Sequence, residues 1–179
     1  MALIVETGQG GSDSESLASV ADADLYAANR GLTAWVALVT ADKESALRRA
    51  TDYMAQTYRA KWTGFRINTV QAQDWPRYLV PFKDVITSGA YLGNYSAGAY
   101  YANNIVPALV NAACCALAVK SIGIELSPDL APRVTHEGVG PISVSYAPDG
   151  RQYTIYRAID AMLEPLLKNG GAGVMLVRA

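Results

Sequence analysis

The spacing of apolar and polar residues predicts a chain built mainly from α-helices. Ser19 and Asp22 have the spacing of a helix N-cap and its partner, and the apolar stripe that follows ends at Gly31. The first helix therefore has about three turns. The short apolar segment 34–39 predicts a further turn or two of helix, with Trp35 as a core anchor.

A longer helix is predicted to start at Asp42 as its N-cap. Its apolar side chains recur at the spacing of one helix face, and its polar side chains lie on another. The apolar set is Ala46, Leu47, Ala50, Tyr53, Met54, Thr57 and Tyr58. This pattern predicts an amphipathic helix that ends near Arg59.

A third helix is predicted from Pro107, at its first position, to Ile122. Nearly every face is small or apolar, so it should be the most buried helix. Cys114 and Cys115, adjacent within it, are expected to be reduced and to pack as small hydrophobic side chains. The apolar run 105–124 is long enough to span a membrane, but its internal proline and polar residues favour a buried helix.

The last part of the chain predicts a β-hairpin and a final helix. Residues 134–137 and 142–146 flank a Gly-Val-Gly-Pro turn, and apolar and polar residues alternate in the second strand. The final helix should start near Gln152, and Pro165 should either kink it or restart its final turn. A short apolar tail, 174–177, follows two glycines.

Three segments show no regular period. Residues 6–16 are rich in glycine, serine and acids, which predicts a flexible arm that only a neighbouring molecule would order. Residues 61–77 are irregular but carry several large aromatics. Residues 87–104 combine tyrosines with small residues, which is typical either of a binding loop or of a mobile insertion.

The predicted fold is a small, mainly α-helical bundle with a β-hairpin, an extended N-terminal arm, a long loop and a C-terminal tail. We expect a single domain over residues 1–179. Its predicted parts are an arm (1–18), N-terminal helices (19–77), a loop insertion (78–104), the central helix, hairpin and last helix (105–168), and a tail (169–179).

Composition and charge argue against several functions. The chain has 15 Lys and Arg against 16 Asp and Glu, so its net charge of −1 gives no overall attraction to nucleic acid or to an anionic membrane. The first five residues are followed at once by Glu6 and a Gly/Ser stretch, so export by a standard signal peptide is not expected.

The sequence contains no recognisable catalytic or metal-binding set. His136 is the single histidine, which disfavours a transition-metal site. No serine has a Gly-x-Ser-x-Gly setting, and the glycines at 8, 10 and 11 lack the context of a phosphate loop. The acids near the start, Asp13, Glu15, Asp22 and Asp24, give only weak support for a divalent cation. We predict a non-enzymatic protein without a cofactor.

One grouping suggests single-stranded DNA binding, because it mixes cations with aromatic side chains that can stack on bases. A solvated helix face beside packing aromatics is the favoured interpretation of the same residues. The grouping consists of Arg48, Arg49, Tyr58, Arg59, Lys61, Trp62, Phe65, Arg66, Trp75 and Arg77.

An ordered set of motifs resembles the phage head-to-tail adaptor (connector, neck) proteins, a family often labelled DnaT-like and single-stranded-DNA-binding. The set spans nearly the whole chain. It consists of 21–26 (Ala-Asp-Ala-Asp-Leu-Tyr), 30–35 (Arg-Gly-Leu-Thr-Ala-Trp), 46–53 (Ala-Leu-Arg-Arg-Ala-Thr-Asp-Tyr), 62–64 (Trp-Thr-Gly), Gln71, 75–77 (Trp-Pro-Arg), 105–107 (Ile-Val-Pro), 139–142 (Val-Gly-Pro-Ile) and 164–167 (Glu-Pro-Leu-Leu).

The resemblance implies a structural virion protein located at the neck, at the head-tail interface, after assembly in the host cytoplasm. It implies a homo-oligomeric ring, typically a dodecamer, between the portal protein and a downstream tail or neck protein. Double-stranded DNA would pass through its channel without sequence readout, and no membrane is involved. The alternative function is a DnaT-like replication protein that binds single-stranded DNA.

The residues predicted to form interfaces are aromatic or arginine side chains in and near the two irregular segments. They are Trp62, Trp75, Arg77, Tyr91, Tyr95, Tyr100 and Tyr101. The insertion 88–104 is longer than the turn that the family resemblance implies, which suits a loop that reaches a neighbouring subunit.

Overall fold

The structure, a computed structural model, describes residues 2–83, 99–129, 136–139, 142–145 and 154–168. It confirms a mainly α-helical fold with a small hairpin. Its elements are α1 (Val20–Ala28), α2 (Thr33–Val36), α3 (Thr40–Tyr58), β1 (Phe65–Arg66), β2 (Arg77–Tyr78), α4 (Ala108–Lys120), β3 (His136–Val139), β4 (Ile142–Ser145), α5 (Arg157–Leu163) and a 3₁₀ turn at Glu164–Leu166.

Helix α4 is the centre of the bundle and contacts α1, α3 and α5. Its small side chains let the neighbouring helices approach closely, and seven of its residues are buried. Cys114 and Cys115 are both buried free thiols, as predicted. Burial raises the pKa of both thiols, so they remain protonated at neutral pH.

Helices α1 and α3 begin with different kinds of N-cap. Helix α1 begins with the predicted capping box, in which the Ser19 hydroxyl accepts from the Asp22 backbone N–H and the Asp22 carboxylate accepts from the Ser19 backbone N–H. Helix α3 instead begins at Thr40, with Val39 as an N-cap that offers no side-chain acceptor. The prediction of Asp42 as the cap was therefore wrong. Asp42 lies in the first turn of α3, where its negative charge interacts favourably with the helix dipole.

Hydrogen bonds between polar side chains join the helices at the edges of the core. The Tyr58 hydroxyl of α3 donates to the Asp160 carboxylate of α5 at 2.6 Å, and burial followed by this hydrogen bond raises the pKa of Tyr58 far above its usual value. Asn111 of α4 donates to Asp22 of α1 at 3.1 Å. Trp35 is fully buried, as predicted, and its indole N–H donates to Asp24 at 2.7 Å.

The hairpin formed by β3 and β4 follows the prediction closely. Strands β3 and β4 pair in antiparallel register, with His136 opposite Ser145 and Val139 opposite Ile142. The pairing continues to Val139, so the first strand extends further into the Gly-Val-Gly-Pro segment than predicted. Residues 134–135 and 146 lie outside the described part of the chain.

The final helix is shorter than predicted. Residues 154–156 are not helical, and α5 runs only from Arg157 to Leu163. Pro165 then lies in the 3₁₀ turn, where the helix restarts with tighter geometry. The predicted start at Gln152, the apolar tail 174–177 and most of the loop insertion, 84–98, lie outside the described residues.

The N-terminal segment differs from the predicted flexible arm. Residues 6–16 fold against the body of the protein, and the Glu6, Ser14 and Ser16 side chains are buried. The Glu6 backbone N–H donates to the Ser16 carbonyl at 2.8 Å, and Val5 forms a parallel bridge with Ser16. This segment has little apolar surface to bury. Its order comes instead from the buried Glu6 carboxylate and from backbone pairing with Ser16.

Replacing Leu117 with alanine should lower the free energy of unfolding by about 2–5 kcal/mol, because this α4 side chain is fully buried and its removal leaves a cavity. Leu25→Ala is the matched control. Leu25 is 64% exposed on α1, so its loss should change the stability by less than about 0.5 kcal/mol. Urea unfolding followed by circular dichroism measures both, and similar values for the two variants would contradict the central position of α4.

Candidate docking surface around the Trp-Pro-Arg segment

The segment after α3 is attached to the 3₁₀ turn at Glu164–Leu166 and to the two residues that follow it. Trp62 forms an antiparallel bridge with Leu167. The Thr63 backbone N–H donates to the Leu166 carbonyl at 3.0 Å, and the Lys168 backbone N–H donates to the Lys61 carbonyl at 2.7 Å. These bonds fix the start of residues 62–80, a segment with little regular secondary structure.

Asp74 joins this segment to α3. Its buried carboxylate accepts from the indole N–H of Trp62 at 3.2 Å and from the guanidinium of Arg59 at 2.9 Å. A buried carboxylate is stable only when it is paired and hydrogen-bonded, and both conditions are met here. Asp74 is therefore a structural anchor between the α3 C-terminus and the Trp-Pro-Arg motif.

Arg77 satisfies three backbone carbonyls of the same segment. Its guanidinium donates to Thr63 at 2.8 Å, to Gly64 at 2.8 Å and to Asp74 at 3.1 Å. Burial lowers the pKa of Arg77, and the nearby Asp74 charge opposes that shift. Because an arginine side chain carries five N–H donors in a rigid fork, it can join several carbonyls that have no partners in a sheet or helix.

Gln71 plays a similar part in the adjoining loop. Its side-chain oxygen accepts from the backbone N–H groups of Ile67 and Asn68, at 2.9 and 3.2 Å. Its side-chain nitrogen donates to the carbonyls of Gln73 and Pro76, at 2.8 and 3.2 Å. One buried amide thus closes a loop of several residues.

The two tryptophans pack together beneath the loop. Trp62 and Trp75 are both fully buried, and their rings meet edge to face with centroids 5.6 Å apart. The Trp75–Pro76 peptide bond is cis. Among the described residues the indole N–H of Trp75 has no hydrogen-bond partner. The pair is an internal aromatic core for the segment.

The β1–β2 pair carries two exposed aromatic side chains. In the β1–β2 pair, Phe65 lies opposite Tyr78 and Arg66 lies opposite Arg77. In β2 the buried Arg77 identifies the inner face and places Tyr78 on the outer one, beside its cross-strand partner Phe65, while both residues of β1 are exposed. Phe65 is 68% exposed and Tyr78 is 46% exposed.

Leu79 directly follows Tyr78 and has an unusual backbone conformation. It is 59% exposed, and its φ of 57° lies in the left-handed region that residues with a β-carbon seldom adopt. The opposing Gly64 also has a positive φ, and a β-carbon there would overlap the Tyr78 carbonyl. We call Phe65, Tyr78 and Leu79 the hairpin ridge. Val70, in the adjoining loop, is also exposed.

The predicted interface residues separate into two groups. Trp62, Trp75 and Arg77 are buried within the chain, so they form core rather than available surface. Tyr100 is exposed and pairs with Pro81, whereas Tyr101 is partly buried and stacks on Phe82. The two remaining positions, Tyr91 and Tyr95, lie outside the described residues.

Most of the aromatic part of the proposed DNA-binding grouping is not exposed. Three of its four aromatic members, Tyr58, Trp62 and Trp75, are buried, and only Phe65 is exposed. All six of the grouping's cations have partners within the chain. The partners are Glu15 and Glu44 for Arg48, Ser121 for Arg49, Asp74 for Arg59, the Gln71 carbonyl for Arg66, three carbonyls for Arg77, and the Tyr58 ring for Lys61.

Sequence reasoning missed the roles of Asp74 and Leu79. Asp74 directly precedes Trp-Pro-Arg, and an acid beside a buried arginine motif is a usable signal of an internal network. Leu79 gives no such signal, because an aliphatic residue is not expected at a positive φ.

Within the described residues there is no group of three or more His, Cys, Asp or Glu side chains that could hold a metal ion. No helix of the described part is long and apolar enough to cross a membrane.

Trp62→Phe should destabilise the protein more than Trp75→Phe, by about 1–3 kcal/mol. Both changes remove part of an indole, but only the first removes a donor from the buried Asp74 carboxylate. Equilibrium unfolding in urea provides the comparison. Equal losses of stability would show that the Trp62–Asp74 hydrogen bond contributes nothing.

Comparison with known proteins identifies one family. No curated protein and no solved structure matches the chain. Residues 1–179 match the family described as "Putative DnaT-like ssDNA binding protein". This match covers the whole chain, including the buried Trp-Pro-Arg segment and the ridge. The protein therefore belongs to the DnaT-like family.

Proposed function

We propose that the protein is a structural subunit of a tailed-phage neck that forms a ring between the portal and the tail. Its hairpin ridge would dock on another protein, either a second copy of this chain or the portal. The observation that carries this proposal is that the β1–β2 hairpin has a polar network inside and apolar side chains outside. The Arg77 guanidinium is buried and bonded to backbone carbonyls, whereas the Phe65, Tyr78 and Leu79 side chains are exposed.

The ridge has the composition of a protein-docking surface. Exposed apolar side chains that lie together mark interaction sites, and aromatic residues dominate the binding energy of many interfaces. Leu79 adds a second indication, because an exposed leucine in a left-handed conformation carries a backbone cost of roughly 1–2 kcal/mol without local burial to offset it. Burial against a partner would offset that cost.

Sequence and charge support the same function. The ordered motifs from Ala21 to Leu167 resemble those of head-to-tail adaptors, and the motif at 75–77 builds the framework beneath the ridge. A channel for passing DNA should not hold phosphates strongly, since each contact with Lys or Arg adds a salt-dependent attraction. The net charge of −1 agrees with such a channel.

The direct test is electron microscopy of the purified protein mixed with the portal protein encoded by the same genome. The proposal expects a ring of this chain coaxial with the portal. A chain that stays monomeric by light scattering at high concentration and leaves the portal unchanged would contradict it.

Single-stranded DNA binding is the second candidate, and the family description favours it. The supporting structural observation is that Phe65 and Tyr78 are exposed aromatics on which bases can stack. Lys61 and Arg66 are exposed cations in the same segment. This function would use the ridge in place of the buried tryptophans, so Trp62 variants would act through stability rather than through DNA contact.

Two variants distinguish these functions. Phe65→Ala should weaken ring or portal assembly at least about tenfold, because the ridge loses its largest exposed side chain, while the monomer keeps its stability. Arg66→Ala should weaken assembly much less than Phe65→Ala does, because it removes no apolar side chain of the ridge and only one of the hydrogen bonds that hold the adjoining loop. Light scattering and portal pull-down measure assembly.

The matching DNA measurement is fluorescence anisotropy with a labelled oligothymidine at several salt concentrations. The adaptor function expects no tight, salt-sensitive binding by the wild-type chain. Salt-sensitive binding that falls in both Phe65→Ala and Arg66→Ala, without ring formation, would instead establish the second candidate.

A further inference from the structure

Glu6 is the centre of a closed loop at the start of the chain. One carboxylate oxygen accepts from the backbone N–H groups of Gly8, Gln9 and Gly10, at 2.8, 2.7 and 3.0 Å. The other oxygen accepts from the Gly11 backbone N–H at 2.9 Å and from the Ser14 hydroxyl at 3.1 Å. Five donors therefore converge on one side chain that is only 4% exposed.

Glycines make this arrangement possible. Gly8 and Gly10 have φ values of 99° and 68°, which turn successive N–H groups toward one point. A β-carbon at Gly8 would overlap the Asn104 carbonyl, and one at Gly10 would meet the Asn68 side chain at 2.6 Å. The loop is thus shaped around the Glu6 carboxylate and lies tightly against two other segments.

The outer side of the same loop holds residues 68–73. The Ala72 backbone N–H donates to the Gly11 carbonyl at 2.9 Å, and the Asn68 side chain donates to the Gly10 carbonyl at 3.1 Å. The Gln73 side chain donates to the Ser14 carbonyl at 2.6 Å. In each contact the N-terminal loop supplies a backbone acceptor that the Glu6 carboxylate holds in position.

We propose that Glu6 is a positioning residue for the docking surface. Its carboxylate closes residues 6–14 into a rigid loop, whose carbonyls hold residues 68–73 in place. Those residues contain the Gln71 amide that fixes the loop between β1 and β2, so the effect passes to the hairpin ridge. Only the last step rests on the proposed function, because it assumes that the ridge is the surface that docks.

The chemistry requires a carboxylate at this position. Its oxygens accept from every direction and donate to none, whereas the amide of a glutamine would place two N–H donors among donors. Glu6→Gln keeps the size of the side chain and should break several of the five hydrogen bonds. Asp13→Asn is a matched control, because it removes one acidic charge from an exposed position of the same loop.

Hydrogen exchange of the full-length chain tests the structural step. In Glu6→Gln the Ala72 amide and the amides of 8–11 should exchange at least about tenfold faster, while the amides of α3 and α4 keep their protection. Asp13→Asn should change neither set. An Ala72 amide that remains as protected in Glu6→Gln as in the wild type would overturn the proposal.

Gln73→Leu provides a second route if Glu6→Gln fails to fold. It removes the donor to the Ser14 carbonyl from the other side of the contact. The Ala72 amide should then exchange faster while the amides of 8–11 remain protected. Faster exchange of 8–11 as well would show that Glu6 does not order its loop independently, and would also overturn the proposal.

Assembly is measured separately, by light scattering and portal pull-down. Glu6→Gln should weaken assembly at least about fivefold at a temperature where the helices are intact, and Asp13→Asn should not. If the wild-type chain itself does not assemble, the proposed function fails and the exchange result still decides the role of Glu6. If Glu6→Gln loosens residues 68–73 but assembles normally, the link to the docking surface is refuted.

Discussion

The segment between α3 and α4 must satisfy many backbone N–H and C=O groups without a helix or a large sheet. Buried polar groups without partners are costly, so such a segment needs side chains that supply the missing bonds. Arg77 and Gln71 do this from inside the protein, and the Asp74 carboxylate joins the segment to the Trp62 and Arg59 side chains. Because they occupy the inner face, the outer face of the short hairpin is left to Phe65 and Tyr78. The exposed apolar ridge follows from how the loop is held.

The framework also connects separate parts of the chain. It begins at the last turn of α3, contacts the final 3₁₀ turn through Thr63, and is supported from the N-terminus by the loop around Glu6. Contacts of this kind join residues far apart in sequence. A change at one end can therefore alter the ridge without disturbing the helical core around α4.

The sequence predicted the helices well because their apolar period is long enough to be seen. Ser19 and Trp35 had local signals that the structure confirms as a cap and a core anchor. Pro107 marked the start of α4 to within one residue, because it is the N-cap and the helix begins at Ala108. The irregular parts were harder, because glycine-rich composition is typical of disorder. One carboxylate, Glu6, supplies the order in that segment, and no periodic pattern reveals it.

The site was only partly predictable for a related reason. Tryptophan and arginine are common in interfaces, and the same two residue types also close a loop from within. Deciding between these roles requires knowing which face of the β1–β2 pair is buried, and two paired residues per strand are too few to show an alternation in sequence. Phe65 was recognised only as a member of a basic and aromatic grouping, whose other aromatic members are buried.

The central claim is that the ridge docks on protein. The most direct measurement places a photoreactive benzoylphenylalanine at position 65, irradiates the full-length chain in the presence of both the portal protein and single-stranded DNA, and identifies the crosslinked product by mass spectrometry. The account predicts crosslinks to peptides of a second copy or of the portal. Crosslinks to DNA alone, or none to either protein while assembly proceeds, would contradict it.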